Sequence, residues 1–192
     1  MEQLLTQIRN CTYCTEHLPL GPRPIVAAHR KSKIAIIGQA PGTKVHQTGT
    51  PWDDPSGKQL RKWLNVTEEQ FYNEKIFALI PMGFCYPGKG KSGDLPPRTE
   101  CAPLWHQQLM DMMPQLKLTI LIGQYAQQYY LGDAMRKNLT ETVKNYKNYL
   151  PNYMVLPHPS PRNRFWLSKN PWFEEQVIPQ LQKAVSSTVK NQ

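Results

Sequence analysis

Four cysteines are the residues most able to do chemistry. Cys11 and Cys14 form a C-x2-C pair, while Cys85 and Cys101 are separated by 15 intervening residues in a stretch rich in Gly and Pro. In a reducing cytosol four thiols rarely persist as disulfides. Three fates remain: free buried thiols, an all-cysteine zinc site, or an iron–sulfur cluster. Structural zinc ribbons use two close pairs, and the second pair here is too wide for that. Two close ligands plus two single ones suit a cluster just as well.

A second set surrounds two turns. The apolar run Ile34–Ile37 leads into Gly38-Gln39-Ala40-Pro41-Gly42, then Trp52-Asp53-Asp54. A Gly-rich turn at a strand's carboxyl end lets backbone N–H groups approach a base or phosphate. It matches neither the phosphate loop G-x-x-x-x-G-K-[ST] nor the dinucleotide fingerprint G-x-G-x-x-G. Trp52 either packs in the core or stacks on something planar. Asp53 and Asp54 are candidate acids for activating water, although Asp54 is equally placed to cap the next helix. The second turn is Pro157-His158-Pro159-Ser160-Pro161. His158, held between prolines, could donate to a developing oxyanion, although a lone His is more often structural. The stretch Arg162-Asn163-Arg164-Phe165-Trp166 mixes cations with aromatics, as a loop that grips phosphates and wedges between bases would; it also reads as an ordinary amphipathic turn.

The elements positioning these residues follow from apolar patterning. Four near-continuous runs, Ile34–Ile37, Ile76–Ile80, Leu118–Ile122 and Tyr153–Leu156, read as strands of a parallel sheet covered on both faces. They are spaced by roughly 30–40 residues, room for a crossover helix each. Helices are expected over 57–64, with Leu60, Trp63 and Leu64 on one face, and from a capping box at Thr67–Gln70. Others are expected over 103–113, with Trp105, Leu109, Met112 and Met113 on one side, and over 124–131, stopped by Gly132. A last helix opens at Asn170-Pro171, and Pro179 should bend or interrupt it. The expected fold is one α/β domain over residues 1–192, a three-layer αβα with a central four-stranded, mainly parallel sheet.

Lys and Arg number 23 against 14 Asp and Glu, a formal charge of +9 with a pI near 9.4. The excess favours a polyanionic partner. Basic residues fall in segments 23–33, 89–98, 136–147 and 162–169, so a charged surface depends on the fold gathering them. No apolar run approaches the ~20 residues of a membrane span, and the N-terminus has no secretory pattern. The expectation is a cytoplasmic monomer.

These motifs together resemble the uracil-DNA glycosylase superfamily, and its family 4 most closely. Gly38–Gly42 is similar to that family's first motif, usually G-E-A-P-G. Gly49-Thr50-Pro51-Trp52 and Ser56-Gly57 fall in register with its next signatures, and His158-Pro159-Ser160 resembles its second motif. Cys11, Cys14, Cys85 and Cys101 match the family 4 cluster ligands in order and spacing. The resemblance covers residues 11–183. It implies a DNA-repair glycosylase with a [4Fe–4S] cluster (zinc being the alternative metal), acting on single- or double-stranded DNA. A flipped base would stack on Trp52, contact Gly38, Ala40, Pro41, Gly42 and Ser160, and meet a catalytic set of His158, Gln39, Asp53 and Asp54. Arg162, Asn163, Arg164 and Phe165 would enter the duplex. Three positions depart from the pattern: Gln39 replaces an acid, Ala40 stands where family 1 has its catalytic Asp, and Pro81 stands where an Asn reads uracil. A protein that binds nucleic acid or a nucleobase without excising it is the competing expectation. If the two turns make one site, Trp52 and His158 must lie on the same side of the molecule.

Overall fold

The computed structural model describes residues 1–91 and 93–190. All four expected strands form: β1 (Ile34–Gly38) and β2 (Phe77–Pro81), then β5 (Leu118–Ile122) and β6 (Tyr153–Leu156). Between them a hairpin of two-residue strands, β3 (Lys89–Gly90) and β4 (Gly93–Asp94), pairs Lys89 with Asp94. The main sheet has the order β2-β1-β5-β6 with every pairing parallel. Its central strands are fully buried, which is why they lack polar alternation: helices cover both faces. The segment before β1 pairs Ala27 antiparallel with Leu79, covering the outer edge of β2.

From β1 the chain crosses to β2 on one side, then returns past β1 to β5 on the other. Loops leaving β1 and β5 therefore diverge and open a crevice at their carboxyl ends, where ligands bind in open α/β sheets. Gly38, Pro81 and the residues after Leu156 all reach this end.

The helices follow their signals with shifted bounds. One runs Pro55–Leu64, two residues earlier than expected, because Asp54 caps it: Oδ1 accepts from Gly57 N at 2.7 Å. Leu60, Trp63 and Leu64 face the core. The Thr67–Gln70 capping box is present with both reciprocal bonds. The helix expected over 103–113 runs Cys101–Asp111, so Met112 falls past its end and is partly exposed, while Leu109 and Met113 are buried. The helix before Gly132 runs Gly123–Leu131. The last helix departs most. A wide π turn over Phe173–Val177 precedes an α-helix over Ile178–Lys190. Pro179 lacks an N–H, and the wider turn just before it accommodates the missing bond.

Among the described residues no helix is long and apolar enough to cross a membrane.

Candidate functional site

Beyond the strand tips lies a cleft of about 560 Å³. Gly38–Gly42, Trp52, Asp54 and Ser56 wall one side; Pro81, Gly93 and Asp94 a second; His158 and Ser160–Asn163 a third. The two turns thus converge. Trp52 and His158 face each other with ring centroids 5.8 Å apart and planes 29° from parallel.

Trp52 is held in place by close approaches. A methyl on Gly38 would stand 2.7 Å from Trp52 Cζ2, so only glycine lets the indole lie over the loop. At Gly57 a Cβ would come 1.8 Å from the Trp52 carbonyl oxygen. Trp52 itself has φ of 58°, a left-handed conformation costly for a bulky residue and most often kept where a site needs it. Its surroundings combine the two fates expected of it: the ring is half-buried against the core and stacked on an imidazole.

His158 is pinned through its backbone. Asn163 Nδ2 donates to the His158 carbonyl at 2.6 Å, and Asn163 N donates to Ser160 O at 2.9 Å. Ser160 Oγ accepts from Arg162 N at 3.3 Å, which starts a short 3-10 turn. The Asn163 amide is therefore engaged in shaping the loop. Burial lowers the His158 pKa, opposed by the negative charge of Asp54. The imidazole is accordingly neutral at pH 7, a hydrogen-bond donor without full charge.

The two candidate acids separate. Asp54 lines the cleft while capping its helix. Asp53 does not belong to the cleft wall; it pairs with Lys44 at 3.3 Å in solvent, so its expected part in catalysis has no geometric support. Asp94, which no sequence motif singled out, does line the cleft. It sits in a two-residue strand too short to leave a pattern. Burial raises its carboxyl pKa, opposed by Arg162 and Lys89 and reinforced by Asp54.

Gln39 reaches from the loop toward the Leu95 carbonyl at 3.5 Å. Pro81 lines the cleft without a side-chain polar group, and its carbonyl meets His106 Nε2 at 3.1 Å. The other His106 nitrogen meets Tyr130 Oη at 2.7 Å. With Tyr130 donating to Nδ1 and Nε2–H donating to Pro81, both ring nitrogens of this buried His are satisfied. This buried relay was invisible in the sequence, where His106 is one polar residue in an amphipathic helix.

Of the expected DNA-contacting stretch, Arg162 and Asn163 line the cleft. Arg164 and Phe165 lie outside it on a short helix, Arg164–Lys169, with Phe165 81% exposed. Trp166 departs from the wedge expectation: Nε1 donates to Thr140 Oγ1 at 2.8 Å, and the ring packs edge-on against Trp172 and Phe173.

The four cysteines line a small separate cavity of about 20 Å³ with Ile8, Phe84, Arg98 and Trp105. The Arg23 and Phe84 backbone N–H groups are aimed at Cys85 and Cys101, and the Arg98 side chain at Cys14. Burial pushes the Cys85 thiol up to about 12 and the Cys101 thiol up to about 11. Among the described residues no group of three or more His, Cys, Asp or Glu stands as a site for a single metal ion. The donor set, all thiols with N–H groups pointed at them, suits a thiolate-bound group in its chemistry.

An all-parallel central sheet with a cleft at its switch point, walled by an indole, an imidazole and two carboxylates, defines an α/β protein of the doubly covered, open-sheet kind. Residues 26–182 match the family model described as the Uracil DNA glycosylase superfamily, and the chain belongs to that superfamily. It is also similar to a protein from Methanosarcina acetivorans, solved by solution NMR and provisionally assigned as a uracil DNA glycosylase. The two share 16% sequence identity with a TM-score of 0.49, over 84% of this chain and 97% of that one.

Proposed function

We propose that the protein is a DNA glycosylase that hydrolyses the N-glycosidic bond of uracil or another deaminated base in DNA. Superfamily membership supports the activity class. The observation that carries the reading is the meeting of Trp52 and His158 across one cleft. A flipped base needs an aromatic wall to stack on and a donor at its edge to take the charge left by bond cleavage. Trp52 supplies the wall once the base takes the place of His158 on its face, and the neutral imidazole becomes the donor at the base's edge. Backbone groups of Gly38, Ala40, Pro41 and Gly42, with Ser160, enclose the base. Gln39, with its side chain turned toward Leu95, does not act as a base. Arg162 and Asn163 hold the backbone beside the lesion, and Arg164 and Phe165 extend that contact along the duplex.

The protein is closest to the family 4 type, and Cys11, Cys14, Cys85 and Cys101 hold its [4Fe–4S] cluster. The support is the all-thiol donor set, with the Arg23 and Phe84 backbone N–H groups and the Arg98 side chain directed at it. The cluster ties the N-terminal segment to the 85–101 loop.

Pro81 favours a second reading. With no side-chain amide at the cleft floor and its carbonyl engaged by His106, the site lacks the usual uracil reader. A protein that binds nucleic acid or a nucleobase without excision would have this floor.

Alkali cleavage of DNA carrying uracil, hypoxanthine or xanthine separates the two. The glycosylase reading expects abasic sites from at least one lesion, with release lost in His158→Ala. Salt-dependent DNA binding with no abasic product on the whole panel establishes the binding reading instead.

A further inference from the structure

The cleft wall carries two carboxylates, and their circumstances differ. Asp54 is committed to its helix through the bond to Gly57 N. Asp94 comes from another segment, the β3–β4 hairpin, directly across from Lys89. Its Oδ2 stands over the first loop: a methyl on Gly42 would lie 3.5 Å from it. Gln39 and Ala40 offer that loop no carboxylate of their own. Arg162, from the turn after β6, reaches the same hairpin, where a methyl on Gly93 would stand 2.6 Å from Nη1. A carboxylate thus overhangs the loop that lacks one, with the Arg162 guanidinium against the same hairpin.

We propose that Asp94 is the carboxylate that faces the sugar of the bound nucleotide and activates the hydrolytic water, an inference that rests on the glycosylase reading above. The water oxygen forms a bond to C1′ as its proton passes to Asp94. The bond from C1′ to the base nitrogen breaks, and its electron pair leaves with the base. His158 donates to the anion so formed, and the proton on Asp94 returns through solvent to neutralise it. Before water arrives, the same negative charge stabilises the cationic sugar that develops as the base departs. Asp94 stays exposed to solvent, so water can reach it, and its partial desolvation raises its pKa against the opposing charges of Arg162 and Lys89.

The test uses the whole protein and two DNA probes, one with a cationic pyrrolidine abasic analogue and one with a neutral tetrahydrofuran analogue. Fluorescence anisotropy at fixed salt is expected to show about tenfold tighter binding of the cationic probe. Asp94→Asn is expected to abolish that preference and Asp94→Glu to keep part of it. Asp53→Asn, which removes the same charge outside the cleft, leaves it intact. On a released lesion, Asp94→Asn lowers the single-turnover rate about 100-fold with DNA affinity nearly unchanged. A preference that survives in Asp94→Asn, or is absent from the wild type, or falls equally in Asp53→Asn, overturns the proposal. Should no lesion be released while the preference still depends on Asp94, the glycosylase reading fails and the placement of Asp94 against the sugar stands.

Discussion

Asp53 and Asp54 are neighbours of one type, and nothing in the sequence separates them. One backbone turn does: Asp54 bonds Gly57 N and faces the cleft, while Asp53 goes to Lys44 and solvent. The charge of Asp54 opposes the lowering of the His158 pKa by burial. Asp54→Asn should therefore lower the His158 titration midpoint further, read from imidazole resonances by NMR; an unchanged midpoint would remove Asp54 from the site's electrostatics. Because the folded pKa lies below the usual ~6.5, a reaction needing neutral His158 holds steady through neutrality. It declines as pH falls through that lowered value. The glycines around Trp52 give a paired expectation. Gly38→Ala meets a ring edge that can shift, so base release should drop with a small loss of stability. Gly57→Ala meets a backbone carbonyl that cannot, costing upwards of ~1–3 kcal/mol in urea unfolding.

At the scale of elements, the sheet was readable because burial on both faces makes its strands near-continuous apolar runs, and all four stand where those runs lie. The capping box was readable because its chemistry is local. What could not be read depends on contacts across the fold. The β3–β4 hairpin has strands of two residues, so neither it nor Asp94 left a periodic signal. The His106 relay joins residues 25 and 24 positions apart, and sequence shows only one polar residue among apolar ones. That relay ties the end of β2 to the helix Cys101–Asp111 and to Tyr130. Burial lowers the His106 pKa to about 4, so the folded state resists a proton that the unfolded chain accepts near 6.5. Stability is full above pH 6.5 and is lost as pH falls toward about 4, by on the order of 3 kcal/mol. His106→Phe should flatten that loss between pH 7 and 4.5 in urea unfolding. It should also cost about 1–3 kcal/mol at neutral pH, by stranding the Tyr130 hydroxyl and the Pro81 carbonyl. An equally steep pH dependence in the variant would move its origin elsewhere.

Over the whole molecule, the fold gathers basic segments that the sequence leaves scattered: Lys89 and Arg162, from 89–98 and 162–169, both act on Asp94 at the cleft. With a charge of +9, DNA binding should weaken steeply with salt, and Arg162→Ala should reduce the slope of log affinity against log salt by about one. The cysteine cavity lies apart from this cleft, on the side of Ile8 and Trp105. Its proposed cluster should give a brown protein with iron and sulfide in stoichiometric amounts, and Cys85→Ala should lose both colour and stability. A colourless protein with one zinc would hand those ligands to zinc.

The central claim is that one heterocycle sits in the slot between the two turns. Its most direct test is a crystal structure with abasic-site DNA and free uracil, hypoxanthine or xanthine. The base is expected flat against Trp52, with an exocyclic oxygen within hydrogen-bonding reach of His158 and its rim over Gly38–Gly42. A base bound elsewhere, with Trp52 and His158 still packed on each other, would contradict it.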